Sequence, residues 1–348
     1  MRYEDMLCLT FTNRAAREMT NRIQKVVGGD STELMVGNVH RFCSKFLFEQ
    51  DKIPADSAII DDEEAVSIIA DYRNEDEEGV TRDFNRYKGY QTIIFFQHFI
   101  YQMEHQHPWK YYLHPESFTD DDREAIKQIC KSQKREYNEQ AVIDIYHHAQ
   151  QYMDEANVPG LDAKTVDRIR VLLWKMYYAE CYAQYKEENH LLDFEDLLLK
   201  TYDIYSTDDT CKRYKWIQVD EVQDLNGMQL AIIDLLTVKD NPMVMYLGDE
   251  QQAIFSFMGA KVETLTLLKM RCKGNIHHLQ RNHRSPKYLL DVFNDYAEKQ
   301  LKIDRELLPA SDNDVKAKPE DLRIIHSSTI DSERQEVTDI ARNLYDQN

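Results

Sequence analysis

Trp216-Ile217-Gln218-Val219-Asp220-Glu221-Val222-Gln223-Asp224-Leu225-Asn226, WIQVDEVQDLN, is the stretch on which the fold turns. A short apolar run stops abruptly at two adjacent carboxylates. A strand ending this way places Asp220 and Glu221 at the carboxyl edge of a sheet, where α/β proteins bind ligands. Phosphoryl transfer from a nucleotide needs one carboxylate to hold Mg²⁺, a hard cation that prefers oxygen and keeps part of its water. It also needs a group that orients or deprotonates the attacking water. Neighbouring carboxylates can divide those roles. Read alone, the same pair is equally a solvated strand end.

Working outward, the texture on either side agrees with an α/β sheet. Downstream, a helical pattern at Gly227–Leu236 leads to a second apolar run, Met243–Leu247. That run breaks into a polar turn in VMYLGDEQQAIFSFMGA (244–260), which holds Gly248, Asp249, Gln251 and Gln252. A glutamine beside a terminal phosphate can sense it by hydrogen bonding without adding charge. Phe255 and Phe257 follow, and exposed aromatics on such a turn can stack bases for roughly 1–3 kcal/mol each; by themselves they read more simply as core. Further on come a weaker run at Ile276–Leu279, LQRNHRSP (279–286) with Arg284 before a helix opened by Ser285-Pro286, and a helical pattern over Pro286–Gln300. An arginine there can reach across a cleft to a phosphate. Residues 302–321 read as a loop-rich connector, Leu322–Ile325 as an apolar run, and a last helix begins near Asp331.

Upstream, MLCLTF, the amphipathic NRAAREMTNRIQKVV, Leu34–Val39 and HRFCSKFLFEQ alternate in the manner of βαβ units. Thr10, Thr12 and Asn13 stand at a strand-to-helix junction suited to a backbone phosphate of DNA; Asn13 also suits a helix N-cap. Between about 61 and 190 the pattern is polar, Tyr-rich and helical in period, with a break at Pro159-Gly160. This segment reads as a helical insertion.

Composition narrows the class. Few glycines and prolines (10 and 8) with 30% charged residues favour a helix-rich chain. No apolar run approaches the roughly 18 residues of a membrane span, and MRYEDMLC has no signal-peptide order. Six cysteines without a CxxC pair fit reduced thiols in a cytoplasmic protein, with no metal cluster built on them. A net charge of −19 opposes nucleic-acid binding by the whole surface. Residues 1–50 nevertheless hold seven Lys/Arg against six Asp/Glu, and binding depends on local patches.

Together the motifs resemble one family. TFTNRAAREM, the HRFC of VHRFCSKFL, LLDFEDLL (191–198), VDEVQDLN, LGDEQQAIFSFMGA and LQRNHRS occur in the order and rough spacing of the UvrD/Rep/PcrA-type superfamily 1 DNA helicases. The resemblance implies a RecA-like, P-loop-NTPase-type parallel sheet with a helical insertion. Residues 1–60 and 190–280 would form a first motor domain, 61–189 the insertion, and 281–348 the start of a second RecA-like domain. It further implies ATP and Mg²⁺ as cofactors, single-stranded DNA or single/double-strand junctions as partner, no membrane, and 3′-to-5′ translocation coupled to ATP hydrolysis in DNA repair or recombination.

Residue by residue, the resemblance assigns Asp220 to Mg²⁺, Glu221 to water activation, Gln252 to sensing the terminal phosphate and Arg284 to completing the site from the second domain. Gln223 and Asp224 would link the nucleotide to the rest of the motor, and His283 would lie against the adenine. Phe11, Thr12, Asn13, His40 and Phe257 would contact the strand. Phe257 stands where tryptophan is usual, Met258 where arginine is common, and Asn38-Val39-His40-Arg41 where TFHS is usual, so individual contacts differ. The phosphate-binding GxxxxGK[ST] is missing: no Gly-Lys dipeptide occurs. The chain alone is therefore expected to be inactive, a fragment, an incomplete gene model or a degenerate relative. The competing expectation is a non-catalytic nucleic-acid-binding or adaptor protein derived from a helicase.

Overall fold

The computed structural model describes residues 2–27, 33–108, 115–155, 160–249, 252, 262–272, 274–305, 308–318, 321 and 324–346. Its first apolar run is strand β1 (Met6–Leu9), with Leu7, Cys8 and Leu9 buried. The Thr12 hydroxyl accepts the Ala15 N–H at 3.1 Å and starts helix α1 (Asn13–Val27). The cap is therefore Thr12 and not Asn13, one residue earlier than the sequence suggests; either side chain has the required oxygen, and the backbone path chooses between them. Strand β2 (Met35–Gly37) follows, then helix α2 (Val39–Glu49), capped by Asn38 and burying Val39, Phe42, Cys43 and Leu47.

After β3 (Ala58–Ile59) the chain is helical: α3 (Asp62–Tyr72), α4 (Glu77–Arg82), α5 (Phe84–Glu104), α6 (Asp120–Ser132), α7 (Glu139–His147), α8 (Ala149–Glu155) and α9 (Ala163–Glu188). Within the segment read as helical in period, the part from Asp120 to Glu155 is three helices, α6, α7 and α8. Lys134 adopts the left-handed φ of 56°, and Asn138 caps the next helix. Strand β4 (Leu191–Leu192) pairs in parallel with β3 at the root of this insertion. Helix α10 (Phe194–Thr207), strand β5 (Trp216–Val219), helix α11 (Gly227–Leu236), strand β6 (Met243–Tyr246) and helix α12 (Val262–Arg271) restore the α/β alternation.

The expected parallel sheet is present, in the order β2-β1-β5-β6 with every pairing parallel. Ile217 and Val219 are fully buried in β5, whereas Met243 and Met245 of β6 are 40% and 38% exposed. Among the described residues two apolar cores result. One is helical, drawn from residues between Ile60 and Tyr182; the other joins β1, α2, α10, β5, α11 and α12.

The chain divides into two compact units, Met1–Arg271 and Cys272–Asn348. In the second, β7 (Arg281–Asn282) pairs in parallel with β8 (Ala310–Ser311), alongside α13 (Lys287–Lys299) and α14 (Ile330–Asp346). Here local reading fails in three places. Ile276–Leu279 forms no ladder, and Leu279 is 88% exposed; the strand lies at polar Arg281–Asn282. Its partner β8 falls within the segment read as a connector. Ile324 is exposed and outside any strand, while Leu322 lies outside the described residues. Pairing across some 28 residues, and not local hydropathy, placed these strands.

Candidate nucleotide site at the sheet edge

Parallel strands in register end together. Leu9 pairs with Val219 and Val219 with Tyr246, so Thr10, Asp220 and Leu247 leave the sheet side by side. The ladder continues one step past the strands. Leu9 C=O accepts the Asp220 N–H and Val219 C=O accepts the Leu247 N–H, both at 2.8 Å, and Leu247 C=O accepts the Val222 N–H at 3.0 Å. This last bond folds the loop after β5 over the end of β6.

That loop is sharply bent. Glu221 has φ 54°, ψ 43°, a left-handed conformation that costs a residue with a Cβ roughly 1–2 kcal/mol. Gln223 holds it there. Its Nε2 donates to Glu221 Oε2 at 2.6 Å, and its Oε1 accepts the Asp249 N–H at 3.1 Å. Gln223 is 2% exposed, so both bonds are sheltered from water. Gly248 makes the approach possible: a Cβ there would lie 2.7 Å from Gln223 Oε1 and 2.8 Å from Val222 Cγ1. Gln252 closes the neighbouring turn, with its Nε2 donating to Asp249 Oδ2 at 2.8 Å and its N–H to Asp249 C=O at 3.1 Å. The structure thus brings Asp220, Glu221, Gln223 and Gln252 to one edge, on two adjacent strands.

The charge at this edge is unbalanced. Among the described residues no Lys, Arg or His pairs with Asp220 or Glu221. Burial, and then the neighbouring Glu221 charge, push the Asp220 carboxyl above its usual range, and the same two causes raise Asp224. Asp224 Oδ1 and Thr10 Oγ1 are buried without a partner. Hard oxygen donors lacking a counter-charge fit Mg²⁺, which takes carboxylate, hydroxyl and water oxygens.

Beside this edge, Asn38 Nδ2 donates to Asn13 Oδ1 at 3.2 Å, tying the starts of α1 and α2 together. Thr12 and Asn13 are exposed, and Phe11 is half-buried. His40 packs edge-on against Phe194, 5.9 Å between ring centres, and burial lowers its pKa, which favours the uncharged ring. Phe257, Phe255 and Met258 lie outside the described residues. In the second unit, Asn282 Oδ1 accepts the N–H groups of Arg284 and Ser285, both at 2.9 Å, and so sets the turn after β7. His283 and Arg284 are exposed, and no described acid pairs with Arg284.

Sequence reading assigned Gln223 a linking role but missed what it links, and it assigned no role to Asp193 or Asp196 of LLDFEDLL. It also passed over His98 and Lys186. One signal existed: Lys186 continues the buried α9 stripe of Met176, Ala179 and Tyr182, where a lysine needs a partner.

The family model of the UvrD/REP helicase N-terminal domain matches residues 1–273. The ATP-dependent DNA helicase PcrA of Staphylococcus aureus is 24% identical over 84% of this chain and 33% of its own length. Probable DNA helicase II homologs of Mycoplasma capricolum and Mycoplasma genitalium are 22% and 27% identical, over 84% and 87% of this chain and 34% and 38% of their own lengths. The chain spans between a third and two fifths of the length of these relatives. No described helix is long and apolar enough to cross a membrane. With the family model matching residues 1–273, through the whole first unit, the chain belongs to the UvrD/REP helicase family.

Proposed function

We propose that this chain is part of an ATP-dependent DNA helicase that couples nucleotide hydrolysis to 3′-to-5′ movement on single-stranded DNA. Residues 1–60 and 190–280 would be its first motor domain, 61–189 the helical insertion, and 281–348 the start of the second motor domain. The observation that carries this reading is the Gln223 bridge, which locks the Glu221 carboxylate to the turn leading to Gln252.

In this reading Asp220 would hold Mg²⁺, with Thr10 just past the end of the neighbouring strand β1. Bound there, the ion would supply charge neutralisation for the transferring phosphoryl group. Glu221 accepts the proton of the attacking water, and Gln223 fixes the direction its carboxylate faces. Gln252 exchanges its Asp249 contact for the terminal phosphate. The family resemblance gives Arg284 a phosphate contact and His283 an adenine contact. Phe11, Thr12, Asn13, His40 and Phe257 contact the strand.

The test is DNA-stimulated ATP hydrolysis by the full-length gene product. Glu221→Gln should lower turnover by about 10² or more, the usual contribution of a positioned general base. Undiminished turnover in that variant would overturn the reading. A second reading is a non-catalytic nucleic-acid-binding or adaptor protein derived from a helicase; the net charge of −19, which opposes whole-surface contact with nucleic acid, favours its adaptor form. It predicts no DNA-stimulated hydrolysis by the full-length product.

A further inference from the structure

The most densely bonded titratable groups lie away from the sheet edge, inside the protein, where α5 and α9 meet the start of α10. His98 Nε2 lies 2.9 Å from either oxygen of Asp193. Asp193 Oδ2 also accepts from Tyr182 Oη and from Lys186 Nζ, both at 2.8 Å. Lys186 Nζ donates further to Asp196 Oδ2 at 2.6 Å and to Gln97 Oε1 at 3.1 Å, so its three N–H groups have three acceptors. Asp193 and Asp196 cap α10 by accepting each other's N–H at 3.0 Å. His98, Tyr182, Lys186, Asp193 and Asp196 are all buried.

His98, Asp193 and Asp196 offer ligand atoms within 4.8 Å of one another, the spacing of a metal site. The Lys186 ammonium already sits on both carboxylates, so the cation's place is filled from within the chain. Burial alone would lower His98, but the Asp193 charge together with the hydrogen bonds to Asp193 and Asp196 outweighs it and lifts the imidazole to about 9. Two positive groups therefore balance two negative ones.

Adhesion does not require such a network. Apolar burial is the stronger glue, and an apolar replacement of equal volume often holds as firmly as a buried ion cluster. Apolar contact is non-directional, however, whereas hydrogen bonds fix angles. The helical insertion and the sheet have separate apolar cores, and the network spans the joint between them. We propose that His98, Lys186, Asp193 and Asp196 form a positioning network that sets the orientation of the helical insertion on the sheet core. Through α10 it also steadies the strand-contacting surface. Phe194, next to Asp193, is the ring against which His40 packs, and α10 lies along α2, whose cap Asn38 holds Asn13. This second half rests on the function proposed above.

The experiment measures the distance between nitroxide amino acids introduced at positions 22 and 88, exposed sites on α1 and α5. The unmodified network should give one narrow distribution. In Lys186→Met combined with Asp196→Asn, one charge of each sign is removed at similar volume, and an oxygen remains to accept the Asp193 N–H. That variant should keep its melting temperature, and the distribution should broaden at least about twofold. A distribution that stays narrow and unshifted overturns the proposal. If the double variant does not fold, His98→Gln, which keeps a donor toward Asp193 without the charge, is read in the same way. Affinity for oligo(dT) should fall about tenfold in the broadened variant; unchanged affinity overturns the link to the strand-contacting surface. If the unaltered protein does not bind oligo(dT), the function reading fails, and the distance measurement still decides the network.

Discussion

Two pairs of carboxylates in this chain receive opposite treatment. Asp193 and Asp196 are buried but matched by Lys186 and His98; against the upward push of burial, those partners hold Asp193 well below the ordinary carboxylate range. Asp220 and Glu221 have no cationic partner among the described residues, and Asp220 is pushed upward. The first pair is completed by the chain itself, and so it can serve geometry. The second is left incomplete, which disfavours folding and favours any cation arriving from outside. Where the fold leaves charge uncancelled is where it is ready for chemistry.

The sharpest way to break this contrast is to open the closed pair. Lys186→Ala leaves two buried carboxylates with one partner and should cost about 3–5 kcal/mol, read as a fall in the urea midpoint at unchanged slope. A loss below about 1 kcal/mol would mean that the network is not closed in solution.

A smaller effect is expected at the bridge over the open pair. Gly248→Ala forces a methyl against Gln223 and Val222 and should cost about 1–3 kcal/mol. DNA-stimulated turnover of the full-length protein should fall with it, because Gln223 would lose its hold on Asp249. Normal stability and turnover would show that the close approach is not needed.

The smallest effect has the opposite sign. A carboxyl whose folded pKa is raised binds more protons folded than unfolded, so stability falls as pH rises through that range. Asp220→Asn removes the penalty and should stabilise by about 0.5–1 kcal/mol at pH 7, with the gain vanishing as pH falls below the ordinary carboxylate range. Activity should be lost at the same time. Thermal melts at several pH values decide it, and a destabilised Asn variant at pH 7 would remove the argument for an uncompensated charge.

Much of the site was legible before the fold. A run such as WIQV halted by Asp220-Glu221 announces a strand end with carboxylates, and a second run halted by Gly248-Asp249 announces another strand end. That reading succeeds because strand period and turn chemistry are local. It fails where the decisive partner is distant. Arg281–Asn282 is a strand only because Ala310–Ser311 lies beside it. Thr12, and not Asn13, caps α1 because the backbone leaving β1 presents its hydroxyl to Ala15.

By itself, then, the sequence determined an α/β chain with a helical insertion, two acid-tipped strands and the family to which it belongs, since composition, period and motif order survive without coordinates. Only tertiary structure decided that those strands are neighbours, that Gln223 joins their loops through a gap only glycine leaves, and that Lys186 and His98 neutralise Asp193 and Asp196. The reason is physical: hydrophobic period is written along the chain, whereas the balance of charge depends on residues that folding brings together.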